Sequence, residues 1–243
     1  DGGISIEAIR SKVPGNNDDL KYIKALYDSE IRYTDHYLGI LMKMLKEKNL
    51  YDDCLIIVTA DHGEYFNEKS DPWIGHAKIL YQEVLHVPLL IKLPGTGQAK
   101  VSNTPVSLID LLPGILNEIE IQLPDSLVVE GQTWDFEVPE MAASREFCAY
   151  TELFQNAYAI EKDDWKYLWF PDSRSSELYN LAENPAETRN VADEHPEIVK
   201  EMVTKLDEWV NSTMNLRLNS GADSSFEFSD DELNELKSLG YVQ

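Results

Sequence analysis

The sequence is poor in cysteine, in basic residues and in long apolar runs, and each shortage removes a class of function. Only two cysteines occur, Cys54 and Cys148. Two cannot build a disulfide framework or a cysteine-based zinc site. A single bridge between them is not the expectation, because Cys54 sits in an apolar, strand-like run and reads as a buried thiol. Lysine and arginine number 21 against 44 aspartates and glutamates, a formal net charge of -23. No nucleic-acid partner is expected, since phosphate binding needs clustered Lys and Arg. A polyanionic substrate would meet a repulsive long-range field, so any anion site has to be local; otherwise the acid excess serves solubility. No apolar stretch approaches the roughly 20 residues that span a bilayer. The longest, Cys54–Val58 and Val87–Ile91, are strand-sized. The chain opens on Asp1-Gly2-Gly3-Ile4, with neither initiator Met nor signal peptide. It reads as a chain entered midway, so the missing targeting signal assigns no compartment. Asn211-Ser212-Thr213 is a formal glycosylation sequon, a short pattern of low specificity.

What is present fits a globular protein of one large or two small domains: 243 residues, 43% hydrophobic, with five tryptophans. No internal repeat or low-complexity segment is found. Ile23, Leu26, Tyr27, Thr34, Leu38, Leu41 and Leu45 recur at helical spacing and predict a helix from about Leu20 to Lys48. Its basic end (Lys43, Lys46, Lys48) suits a helix C-terminus. The continuous apolar run Cys54–Thr59 reads as a strand buried on both faces, as in a parallel sheet flanked by helices. Residues 60–75 are expected to be a loop, Ile79–Leu85 a short helix and Val87–Lys92 a second strand, with Pro88 near its start. Ser107–Leu116 predicts a helix interrupted by Pro113.

Composition turns loop-like over 125–145, where a boundary is expected. Beyond it, Phe147–Thr151, Ala157–Glu161, Trp165–Phe170 and Glu177–Asn180 alternate with turn residues and predict an antiparallel sheet. Pro196–Val210 predicts a helix, and Ser229-Asp230-Asp231-Glu232 a capping box opening a last helix to Leu239. The fold class is therefore α/β, with helices flanking a sheet over residues 1–140 and a smaller α+β subdomain over residues 141–243.

The residues best placed for chemistry are Asp61-His62-Gly63-Glu64, directly after the apolar strand. Ligands of open α/β sheets sit beyond the carboxyl ends of strands. Gly63 lets the chain turn sharply there. A carboxylate beside an imidazole is half of a mixed site for a divalent cation; it is equally half of a structural Asp–His contact. Fourteen residues on, His76 and Lys78 could bind an anionic group or move a proton, or could cap a turn and sit in solvent. Together the four residues suit hydrolysis of a sulfate or phosphate ester, with Lys78 on a spectator oxygen and His76 serving the leaving group. Glu64 is within reach for an outer-shell contact. His36 reads as a helix-surface residue, His86 as a backbone hydrogen-bonder and His195 as a local helix cap.

The order of motifs resembles the sulfatases of the alkaline phosphatase superfamily. The stretches that carry the resemblance are Tyr27–Asp35, Leu50–Asp53, Ile57–Glu64, Gly75–Glu83, His86–Leu90 and Val106–Pro113, followed by Asp164–Tyr167, Glu177–Leu181, Asn184–Asn190 and Leu236–Tyr241. The resemblance implies an alkaline-phosphatase-like sheet and assigns Asp61 and His62 to the second pair of metal ligands. It implies calcium, or manganese or zinc if the chain comes from a phosphodiesterase or phosphonate monoester hydrolase of the same superfamily. Lys78 resembles the lysine that grips the sulfate, and His76 matches the Gly-His-Gly variant of the same segment. A sulfated small molecule or glycan is the implied substrate, and a periplasmic, extracellular or lysosomal location is the implied compartment. The family's Asp-Asp pair and its Cys/Ser-x-Pro-x-Arg motif, whose Cys or Ser becomes formylglycine, are not found in these residues. The chain is thus expected to be a C-terminal portion that lacks the nucleophile and, alone, to bind metal weakly or not at all. The alternative from another class is a non-catalytic fragment or binding module.

Overall fold

The structure is a computed structural model and describes residues 17–69, 73–76, 78–95, 99–122, 129, 131–134, 136, 145–151 and 156–219. Helix α1 spans Asn17–Glu47, close to the predicted Leu20–Lys48. Asp18 and Asp19 lie in its first turn and Lys46 in its last, signs that match the helix dipole. Asn49 ends it by taking a left-handed φ of 54°. The amides of Asn49 and Leu50 then donate back to the Lys46 and Leu45 carbonyls at 3.0 and 2.9 Å, the two bonds of a Schellman cap. Among the described residues the helix keeps an uncovered apolar stripe: Tyr22, Tyr33 and Tyr37 share one face and are each more than half exposed.

Strand β1 (Ile56–Thr59) follows, but its partner is antiparallel. It pairs with β4 (Leu89–Lys92) in the register Ile57↔Ile91 and Val58↔Leu90. This corrects the expectation of a parallel strand buried on both faces. β1 is half-buried with Thr59 exposed, and Leu90, across from Val58, is also exposed. A continuous apolar run reports what a strand can bury and says nothing of the direction of its neighbour. Lys92 Nζ fastens the pair to the turn after α1, donating to the carbonyls of Tyr51, Asp52 and Cys54.

The 60–75 segment, expected as loop, contains two short strands, β2 (Tyr65–Phe66) and β3 (Ile74–Gly75), paired antiparallel. A single helical turn, α2 (Gln82–Leu85), lies within the predicted Ile79–Leu85. Further on, Leu108–Asp110 is a 3₁₀ turn running into α3 (Leu111–Glu118). Pro113 does not interrupt α3. It sits in the first turn, where the missing amide had no intrahelical partner to lose. Asp110 closes a capping box with Ser107 and is fully buried. Burial alone would push its carboxyl up. The Arg145 guanidinium, bonded to both oxygens, and the amides of Gln132 and Ser107 hold it below the usual carboxylate range.

The predicted antiparallel sheet is present as β5 (Glu146–Thr151), β6 (Ala157–Lys162), β7 (Trp165–Phe170) and β8 (Ser175–Asn180), in sequential order. Ala157 and Ala159 on β6 and Leu168 and Phe170 on β7 point to one face. They form a single core with Tyr65, Ile79, Leu80, Tyr81 and Val84, so the sheet is covered by the very segment that follows Asp61-His62. Burying one such side chain as fully as Leu168 contributes about 1.5–3 kcal/mol. Cys148 on β5 and Cys54 before β1 are both free thiols, each half-buried.

Helix α4 spans Pro196–Asn219. The chain divides into two compact units at residue 202, within this helix. Lys162 Nζ reaches Glu201 at 2.8 Å in the first unit. In the second, Ser212 Oγ donates to the Trp209 carbonyl at 2.8 Å. The predicted Ser229–Leu239 helix and most of the 125–145 stretch lie outside the described residues. No described helix is long and apolar enough to cross a membrane.

Candidate metal centre

Asp61 and His62 stand where β1 ends, and a glycine fixes them there. The amide of Gly63 donates to the Val84 carbonyl at 2.7 Å. A β-carbon on Gly63 would lie 2.1 Å from the Glu83 carbonyl oxygen. The glycine is therefore needed for close approach to α2, a different reason from the sharp turn inferred from sequence.

Its neighbours converge. The Asp61 carboxylate accepts the His62 amide at 3.0 Å, and its other oxygen lies 3.7 Å from His62 Nε2. His62 Nδ1 meets the Gly63 carbonyl at 3.0 Å. That carbonyl can only accept, so Nδ1 carries a proton and the neutral ring presents its lone pair on Nε2, the nitrogen facing Asp61.

The hairpin supplies the rest. In the β2–β3 register Tyr65 faces Gly75 and Phe66 faces Ile74. One step outward, Glu64 therefore lies opposite His76, although twelve residues separate them. Glu64 Oε1 and His76 Nδ1 are 2.6 Å apart. The His76 ring stacks on that of His62, with centroids 3.7 Å apart and planes 27° from parallel. One ligand atom each from His62, Glu64 and His76 lies within 4.8 Å of the other two. Gly75 permits the turn into His76 at a φ of 124°, a conformation open to glycine and costly for other residues.

Of the four residues picked from sequence, Asp61, His62 and His76 come together. Lys78 Nζ sits 5.7 Å from the ring centroid of Trp73. Glu64, considered only for an outer-shell contact, is the residue that sequence reasoning undervalued. The signal that could have raised it was the hairpin register, which two-residue strands hide. His36 is exposed with its ring edge-on to Tyr37, and the His195 carbonyl accepts the first α4 amides, from Ile198 and Val199, as expected of both. His86 is exposed, its amide bonded to the Gln82 carbonyl.

A buried ionic network lies behind the hairpin. Glu187 has no exposed side-chain surface. Its Oε1 is 2.8 Å from Nζ of the equally buried Lys166, and its Oε2 accepts the Gln82 amide at 2.7 Å and meets Lys69 Nζ at 3.4 Å. Lys69 also pairs with Glu83 at 2.9 Å and lies over the Tyr81 ring. Glu161 stands 3.5 Å from Lys166. Burial pushes its carboxyl up, against the opposing pull of Lys166. Lys69 and Gln82 bracket the segment that bears His76, so Glu187 anchors that segment to Lys166 of β7, and the Gln82 side chain, donating to Glu161 at 2.7 Å, ties it to β6.

A carboxylate and two imidazoles gathered at a strand end form a donor set suited to a divalent cation. Comparison with known proteins gives this architecture a family. Residues 9–120 match the family described as Sulfatase, and residues 73–212, more than half of the chain, match N-sulphoglucosamine sulphohydrolase, C-terminal. The chain belongs to the sulfatase family. It is similar to arylsulfatase K of Bos taurus, 27% identical over an alignment 213 positions long that covers 79% of this chain and 37% of that protein. Arylsulfatase K of Mus musculus is 29% identical over an alignment 208 positions long that covers 80% of this chain and 37% of the relative. The structure of a 2-O GAG sulfatase superposes with a TM-score of 0.73 at 17% identity, covering 85% of this chain and 47% of that one; that likeness concerns the fold. The chain thus spans little more than a third of the curated relatives it matches.

Proposed function

We propose that this chain is the C-terminal part of a sulfuric ester hydrolase that cleaves a sulfate ester on a sulfated sugar. The observation that carries the reading is the Asp61–His62 pair, fixed at the end of β1 with His62 Nε2 3.7 Å from the Asp61 carboxylate. In this reading Asp61 and His62 hold one side of a divalent cation, which when bound polarises the ester oxygens. Calcium is the cation proposed for the intact enzyme, its further oxygen ligands coming from a segment N-terminal to these residues. The same segment supplies a formylglycine nucleophile. The uncovered stripe of α1 and the exposed Leu90 support an additional layer of that kind. His76 serves the leaving group, with Glu64 orienting its ring, and Lys78 balances charge on a spectator oxygen. The match of residues 73–212 to N-sulphoglucosamine sulphohydrolase, C-terminal, supports a sulfated sugar as substrate. We place a subdomain boundary near residue 140.

The test is a paired assay on the longest natural form of the protein, with sulfate and phosphate monoesters of the same alcohol. Sulfate hydrolysis should dominate, and Asp61→Ala should lower it by at least about a hundredfold. A dominant phosphatase rate would overturn the reading in favour of a phosphoester hydrolase. Unchanged activity in Asp61→Ala would favour a binding module.

A further inference from the structure

The half-site read from sequence has only two ligands, yet the folded hairpin adds two more donors beside them. From this geometry we propose that the 243-residue chain by itself binds one zinc-class divalent cation, through His62, Glu64 and His76, with Asp61 available as a fourth ligand. The proposal concerns the isolated chain and does not rest on the sulfatase reading.

Three observations support it. First, donor type. Two imidazoles and one carboxylate suit zinc, cobalt, manganese or iron, whereas calcium takes six to eight oxygens, far more than these residues offer. Second, spacing. Donors about 2.0–2.2 Å from a tetrahedral zinc stand ~3.4 Å from one another. The three here lie within 4.8 Å, so small side-chain rotations close the set. Third, preparation. His62 is fixed by the Gly63 carbonyl in the tautomer that presents Nε2. The 2.6 Å contact between Glu64 Oε1 and His76 Nδ1 already holds carboxylate and imidazole side by side, before any ion arrives. As the ion binds, Glu64 leaves Nδ1 and turns an oxygen onto it, so all three side chains become ligands. All three side chains keep between a fifth and a third of their surface exposed, which leaves an entry path. The net charge of -23 draws cations toward the surface without choosing among them.

The experiment is a cobalt(II) and zinc titration of the metal-free chain. Cobalt should give visible absorption saturating at one equivalent, abolished by stoichiometric zinc and unaffected by a hundredfold excess of calcium. His62→Ala, His76→Ala and the near-isosteric Glu64→Gln should each weaken zinc binding by at least about tenfold. His36→Ala, on the exposed face of α1, should not. Imidazole ¹⁵N spectra of the unmodified chain identify the ligands even if a variant misfolds. Zinc should move the ring nitrogens of His62 and His76 and leave those of His36, His86 and His195 in place. No saturable binding, saturable binding that survives His76→Ala and Glu64→Gln, or coordination at the other histidines would each overturn the proposal. None of these outcomes bears on the ester-hydrolysis assay, so the two readings fail separately.

Discussion

Replacing Glu187 by Gln tests whether the buried ionic network holds the site segment in place. The change keeps volume and an oxygen that can still accept the Gln82 amide, and removes one charge. Lys166 Nζ lies 2.8 Å away with no exposed side-chain surface, and the nearest other carboxylate, Glu161, is at 3.5 Å. At an effective dielectric constant of about 20, unit charges 2.8 Å apart attract by about 6 kcal/mol. Much of that offsets the cost of taking both charges out of water. Breaking a buried pair from one side costs about 3–5 kcal/mol, and here the lower end is expected, because Glu161 at 3.5 Å still faces the ammonium. For a chain of this length that corresponds to a fall in Tm of about 6–20 °C. Urea denaturation of wild type, Glu187→Gln, Lys166→Met and the double variant is the assay. The double variant should be at least about 2 kcal/mol more stable than the sum of the single losses implies, since both singles lose the same Lys166–Glu187 attraction. Single losses below about 1 kcal/mol, or additivity within about 0.5 kcal/mol, would refute the reasoning.

Gly63→Ala should destabilise the fold by about 1–3 kcal/mol, since its β-carbon would stand 2.1 Å from the Glu83 carbonyl oxygen; thermal unfolding reads the loss, and an unchanged Tm would contradict the close approach. Asp110→Asn should cost about 3–5 kcal/mol at pH 7 by breaking the buried pair with Arg145. The folded carboxyl is depressed, so its contribution is complete above the unfolded carboxylate pKa of about 3.9 and is lost as pH falls through the lower folded value. The gap between wild type and variant in urea titrations should therefore narrow below about pH 4, and a constant gap would contradict the assignment. Burial pushes the Cys148 thiol up to about 12, with Glu146 adding to the effect. At pH 8 Cys148 should react with iodoacetamide far more slowly in the native chain than in urea, as mass spectrometry of its peptide would show.

The fold was legible where a period ran long enough to be read. Helix α1 shows its spacing over eight turns, and the four strands β5–β8 declare themselves through turn pairs such as Asp163-Asp164 and Pro171-Asp172. Strand direction was not legible. Ile56–Thr59 is equally apolar whichever way its neighbour runs, and only the antiparallel return of Leu89–Lys92 decides. Pro113 misled because its cost depends on a helix start that lies two residues before it, and that start was set by the 3₁₀ turn at Leu108–Asp110. The buried Glu187–Lys166 pair was hidden for another reason. Charged residues in turns and on strands usually face water, and nothing in Asn184–Asn190 says that this glutamate turns inward to meet a lysine from β7.

The site shows the same division between what spacing can and cannot carry. Asp61 and His62 were legible because adjacency in sequence is adjacency in space at a strand end. His76 and Lys78 were not separable, since either could reach back across a loop of unknown course. The β2–β3 ladder removes that freedom. Tyr65 opposite Gly75 forces Glu64 opposite His76, and the 2.6 Å contact and the stacked His62 ring follow from that register. A shift of one residue would send Glu64 and His76 to opposite faces of the hairpin and undo the cluster. The register is itself held from outside, by Gly63 on Val84, by the Lys69 amide on the Tyr65 hydroxyl, and by Glu187 on Lys69 and the Gln82 amide. The donor set at the end of β1 thus depends on a glutamate more than a hundred residues away, for which neither its distance in sequence nor its residue type gave any sign.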